Sequence, residues 1–107
     1  MSETKVVNLK KEPYDIYIGR TRHKYHYGNL FRIGPDGTRT IVIEKFRFWI
    51  KGIAYRDIEP ERREWIIKTM ESLRRKKLGC YCKPEACHGD VYVELLAGLK
   101  IKGGEIT

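Results

Sequence analysis

Residues 78–99 constrain this chain more than any other stretch. They run from an apolar strand start at Leu78, through the block Cys80-Tyr81-Cys82-Lys83-Pro84-Glu85-Ala86-Cys87-His88-Gly89-Asp90, into an amphipathic run from Val91 to Leu99. That succession reads as a strand, a tight loop and the N-terminus of a helix, where α/β proteins place their chemistry. The same block gathers all three cysteines of the chain, a histidine and two carboxylates.

The rest of the pattern supplies a sheet for that strand to join. Lys5 to Leu9 is a short β-branched run, and Tyr14, Ile16 and Ile18 recur with a period of two, so two strands come first. Val42, Phe46, Trp49, Ile50 and Ile53 share one stripe of a helix of about three turns, closed by Gly52. A second helix starts at Pro60, buries Ile66, Met70 and Leu73, and ends in Arg74-Arg75-Lys76-Lys77, cations that suit a helix C-terminus. Leu78 to Cys82 is then a third strand and His88 to Leu99 a third helix, with Gly103-Gly104 opening a loose tail at 103–107. Helices between the early strands and the late one require a crossover. The order β-β-α-α-β-α therefore predicts a small α/β fold on a sheet that is at least partly parallel. At 107 residues it is a single domain, 1–107.

Ligands of such sheets bind beyond the carboxyl ends of the strands. That rule brings the loops Arg20 to Asn29 and Cys82 to His88 to one pocket, although they lie far apart in sequence. The first loop interleaves Arg20, Arg22, His23 and Lys24 with Tyr25 and Tyr27, a mix that binds phosphate and stacks on bases. The same tyrosines would serve equally well as a cover for the edge of the core. Gly28-Asn29 is a turn pair whose amide either closes the loop or reads a base edge.

Three readings compete for the cysteine block. Cys80, Cys82, Cys87 and His88 supply the four N or S ligands that zinc wants. Adjacent Cys87 and His88 diverge on regular backbone, so His23, His26 or Asp90 are alternative fourth ligands. An iron–sulfur cluster ranks behind zinc because the spacing matches no familiar run. In the second reading Cys82 or Cys87 is a reactive thiol at a helix N-terminus and His88 its acid/base partner. In the third, Cys80 and Cys87 are small buried hydrophobes and Asp90 merely favours the first turn. A disulfide framework is excluded by three cysteines crowded into eight positions.

Composition bounds the partners. A formal charge of +8 favours an anionic one, nucleotide or nucleic acid first. No apolar run is long enough for a membrane span, and the first residues lack the order of a signal peptide, so the expected location is cytoplasmic. The edge strands of so short a sheet leave room for a homodimer.

The segments Val6-Val7-Asn8-Leu9, Tyr17-Ile18-Gly19-Arg20, Gly28-Asn29-x-Phe31 and Leu78-Gly79-Cys80-Tyr81-Cys82-Lys83-Pro84…Cys87-His88-Gly89-Asp90 together resemble the bacterial, archaeal and viral family DUF4326, a domain of unknown function. The resemblance runs from about Val6 to Leu99. It implies the domain boundary and says little of activity. Leu30 stands where that family usually carries proline, which puts in doubt any role that needs a rigid loop. More distantly, the strand ending in Cys and the Cys-His opening a helix are similar to DUF488, a family linked to nucleotide or nucleic-acid chemistry; this is an analogy of fold.

Two functions follow. The first is a nucleotide- or nucleic-acid-associated enzyme or ligand-binding protein, in which Arg20 holds an anionic group, Asn29 and Asp90 bind substrate, and Cys82, Cys87 and His88 carry the chemistry. The second is a non-catalytic, metal-stabilised nucleic-acid-binding module with Arg62, Arg63, Lys68 and Arg74 to Lys77 plus the Arg20 loop as its phosphate footprint.

Overall fold

β-branched and apolar residues at the chain start form β1 (Lys5–Asn8), and the alternating run forms the very short β2 (Ile16–Tyr17). In this computed structural model, which describes residues 3–98 and the backbone of 101–102 and 105–106, both strands pair in parallel with β3 (Lys77–Cys80). The sheet order is β1-β3-β2. The register sets Asn8 opposite Cys80 and Tyr17 opposite Gly79, so all three strands end on one edge. The crossover from β1 to β2 uses only residues 9–15 and no helix, a short path that suffices because the strands it must run back along are so short.

Helix α1 (Arg39–Ile50) starts at Thr38, whose Oγ1 accepts the Ile41 N–H at 3.3 Å. Val42, Phe46, Trp49 and Ile50 of the expected stripe are buried, but Ile53 is 66% exposed. The helix stops before it because Gly52 takes a left-handed φ of +74°, which releases the chain from the helical path. Helix α2 (Pro60–Thr69) begins at its proline as expected, then tightens into a 3₁₀ turn over Met70–Leu73. Ile66, Met70 and Leu73 are all fully buried, joined by Ile67.

Helix α3 (Gly89–Gly98) starts one residue later than the sequence suggests, since His88 lies in the turn that precedes it; Leu99 lies outside the described residues. Beyond it β4 (Ile101–Lys102) and β5 (Glu105–Ile106) pair antiparallel. Of the loose tail expected at 103–107, Glu105–Ile106 form β5 instead, and residues 103, 104 and 107 lie outside the described residues.

The core fills the space between the three helices and the sheet, around Phe46, Trp49, Tyr92, Leu78 and Ile18. Trp49 donates its indole N–H to Ile58 O at 2.8 Å, which satisfies the polar end of a fully buried ring. Among the described residues no helix is long and apolar enough to cross a membrane.

Candidate functional site

A cavity of about 610 Å³ opens beyond the carboxyl ends of β2 and β3, where a parallel sheet leaves a crevice. Its wall joins Tyr17, Gly19 and Arg20 after β2, Asn29 to Ile33, the start of α1, and the segment Cys80 to His88. The sequence reading of a shared pocket is thus met by Arg20 and Asn29 on one side and Cys80, Cys82, Cys87 and His88 on the other. Arg39, Arg32 and Val42 are a third contributor, α1 and its approach, that sequence reasoning did not anticipate. The Thr38 cap just before Arg39 is the signal that could have placed them, because an N-cap on a helix following a strand end points at the same edge.

Most of the basic loop faces elsewhere. Tyr27 lies against Trp65 and Tyr92 at centroid distances of 4.8 and 5.8 Å, Tyr25 against Trp65 at 5.6 Å, and Lys24 pairs with Glu61. These tyrosines cover the core edge rather than the cavity. Gly28 is required by close approach: a Cβ there would stand 2.7 Å from the Arg20 backbone nitrogen. Contact at this point brings the ends of the loop together, and Arg20 clamps it by donating from Nε to Asn29 O at 2.7 Å and from Nη2 to Phe31 O at 3.0 Å. Asn29 is buried, with Nδ2 donating to Val42 O at 3.1 Å and Oδ1 accepting the Phe31 N–H at 2.9 Å. Its amide ties the loop to α1.

The cysteine block is fastened at several points. Asn8 donates to Lys83 O at 2.7 Å, Arg39 donates to Ala86 O at 3.0 Å, and Lys83 pairs with Asp90 at 2.8 Å. The other Asp90 oxygen accepts the Cys87 N–H at 3.1 Å, closing the turn before α3. The strand ends at Cys80, not Cys82, because the chain bends at Tyr81 once its partners β1 and β2 have ended. Strand alternation is therefore not what brings the thiols together; the loop folding back is. All three Sγ atoms lie within 4.8 Å of one another, and the cysteines are free. His88, His23, His26 and Asp90 all fall outside this group: of the ring nitrogens, His88 Nδ1 approaches one of the three sulfurs, that of Cys87.

His88 and Cys87 do meet, because the irregular turn removes the divergence that regular backbone would impose: Cys87 Sγ stands 3.6 Å from His88 Nδ1. His88 Nε2 lies 2.8 Å from Ile18 O and 3.0 Å from Tyr27 O. Carbonyls only accept, so the partners assign the proton to Nε2 and leave Nδ1 a bare lone pair. Part of His88 faces the cavity, yet protein surrounds the ring, and burial pushes its pKa down to about 4. Burial likewise pushes the Cys87 thiol well above its ordinary range, opposed by the Gly89 N–H that donates to its sulfur at 3.3 Å. A neutral imidazole beside a protonated thiol is a poor nucleophile–base pair.

Electrostatically the wall is one-sided. Among the described residues, Arg20, Arg32 and Arg39 line the cavity and no carboxylate does. Burial lowers the Arg20 pKa, and the nearby Arg32 charge lowers it further. Tyr81, 59% exposed, stands at the rim with its ring edge-on to Tyr17 at 6.2 Å.

Part of the alternative footprint is committed within the fold, while Arg75 and Lys76 are exposed. Arg62 is 2% exposed and donates from Nη1 to His26 O and Gly28 O, both at 2.9 Å. Arg63 donates to Trp49 O, Lys68 pairs with Glu64, and Arg74 pairs with Glu71 while donating to Leu96 O.

No solved structure matches the chain. An "Uncharacterized 12.4 kDa protein in nrdA-td intergenic region" of Enterobacteria phage T4 is 34% identical over 94 residues, covering 86% of this chain and 76% of the phage protein. The family model described as "Domain of unknown function (DUF4326)" matches residues 2–98, so the cavity and its thiol floor lie wholly within the matched segment and the chain belongs to that family.

Proposed function

We propose that the chain is a small cytoplasmic α/β protein that binds a nucleotide, or a ligand of that class, in the cavity at the strand ends. The observation that carries this reading is the wall itself: among the described residues, three arginines and no carboxylate around about 610 Å³, room for a drug-sized ligand. Such a wall suits phosphate, which arginine holds with paired N–H donors. Tyr17 and Tyr81 supply aromatic surface at the rim on which a base can stack. Arg32 and the free donors of Arg20 and Arg39 hold the phosphate in this reading, while Asn29 and Asp90 act as positioning residues through the loops they fasten. Arg62 of α2 contributes little to a nucleic-acid footprint, because it is buried and donates to loop carbonyls.

Calorimetric titration with adenosine, AMP, ADP and inorganic phosphate tests this. AMP and ADP should bind and adenosine should bind far more weakly. Arg32→Ala removes a side chain that holds no hydrogen bond among the described residues, so it should leave the melting temperature unchanged. It should weaken ADP by roughly 10- to 100-fold, the worth of one charge-assisted contact. Absence of binding by both phosphorylated ligands, or equal affinity of Arg32→Ala and wild type, would refute the assignment.

A further inference from the structure

We propose that the three thiols Cys80, Cys82 and Cys87, with Nδ1 of His88 as the fourth ligand, form a zinc site in the floor of the cavity. This goes beyond nucleotide binding and stands on separate geometry. Three sulfurs mutually within 4.8 Å surround a point no more than about 2.8 Å from each, and zinc–thiolate bonds are about 2.3 Å. Cys80 is held in the sheet and Cys87 in the turn before α3, so Cys82, half-buried on the loop, makes the small adjustment. A tetrahedron with a zinc–nitrogen bond of about 2.0–2.1 Å has a sulfur–nitrogen edge of about 3.6 Å. The Cys87 Sγ to His88 Nδ1 edge is 3.6 Å, whereas His88 is not within 4.8 Å of all three sulfurs, so the imidazole must move with the Cys82 loop to close the tetrahedron.

The surroundings are those a metal-bound imidazole and thiolate require. A ligating histidine donates its other ring N–H to a carbonyl or carboxylate that fixes the tautomer and aim, and His88 Nε2 does so to two carbonyls. Gly89 N–H donates to the Cys87 sulfur, and Arg20 and Arg39 on the adjoining wall offset the single negative charge left by three thiolates on a divalent ion. An ensemble this tight fits one ion. An iron–sulfur cluster spreads its thiolates over separate irons and needs them further apart. On binding, the ion replaces the thiol protons, up to three per zinc, which pass to solvent.

Cobalt(II) is the probe, titrated into the full chain kept reduced and stripped of metal. One ion per chain should bind, with thiolate-to-cobalt charge-transfer absorption and the visible bands of tetrahedral cobalt, and zinc should displace it. Thiol titration of the zinc-loaded protein should find all three cysteines shielded until chelator is added. Cys82→Ser, the least buried of the set, should fold yet bind cobalt more than about 100-fold more weakly, beyond the loss typical of residues that only support a ligand. His88→Gln should alter the visible bands. No stoichiometric cobalt, a wild-type affinity in Cys82→Ser, or an unchanged spectrum in His88→Gln would overturn the site as drawn. Arg32→Ala should bind cobalt as wild type does, so failure of the metal site and failure of the nucleotide reading show separately.

Discussion

Arg62 offers the sharpest test of how this fold is held, because its guanidinium joins three segments distant in sequence. Nη1 donates to His26 O and Gly28 O at 2.9 Å each, Nε pairs with Glu59 at 2.8 Å, and the group lies 5.1 Å from the centroid of the Trp49 ring. Among the described residues its Nη2 has no partner. Arg62→Met keeps the stem packing and removes the charge, leaving two carbonyls without their donor at about 1–3 kcal/mol each. Against that stands relief from a buried cation with one unpaired N–H, so the net loss should be about 2–4 kcal/mol. The Glu59 side chain, 47% exposed, returns to water at little cost. For a domain of this size the loss corresponds to a fall of roughly 10–30 °C in melting temperature. Arg62→Lys keeps the charge over Trp49 but reaches only one carbonyl at a time, and should fall between the two. Urea denaturation followed by tryptophan fluorescence gives the free energies. An Arg62→Met variant within about 0.5 kcal/mol of wild type, at an unchanged denaturant slope, would show that the buried cation costs as much as its bonds return, and would refute the reasoning.

Gly28→Ala places a methyl group 2.7 Å from the Arg20 backbone, so the loop must open; thermal melting should show a loss of at least about 2 kcal/mol, and a neutral substitution would remove close approach as the reason for glycine. His26 is held below its ordinary pKa by burial and then by the Arg62 charge, and its Nδ1 accepts the Gly28 N–H. The unfolded chain therefore binds that proton more readily: stability is full above the ordinary histidine value of ~6.5 and declines as pH falls below it. His26→Asn, which keeps an acceptor and cannot titrate, should flatten part of that decline in urea midpoints taken between about pH 7.5 and 5.5; an identical slope would exclude His26 as its source. Ile66→Ala in the core should cost about 2–5 kcal/mol, whereas Ile53→Ala, past the end of α1, should stay within about 0.5 kcal/mol in the same urea assay; equal losses would mean that Ile53 packs against the core after all.

Local pattern was enough to read the element order, because periods of two and 3.6, a proline at a helix start and a glycine at a helix end are properties of neighbouring residues. The parallel sheet followed from connectivity, and from it the edge where Arg20, Asn29 and the cysteine block meet. Tertiary structure decided what each of those side chains does there. The convergence of the thiols depends on the chain leaving the sheet at Tyr81 and folding back, and no alternation rule contains that turn. His88 and Cys87 meet because the turn before α3 is irregular, and the His88 tautomer depends on carbonyls 61 and 70 residues away. Arg62 and Lys68 look alike as charges on one helix, yet one is buried and the other 66% exposed, because only Arg62 meets the carbonyls of the Arg20 loop. A sequence states which groups exist; desolvation and partner geometry, which set whether an arginine is a brace or an anion ligand, arise only when distant segments pack.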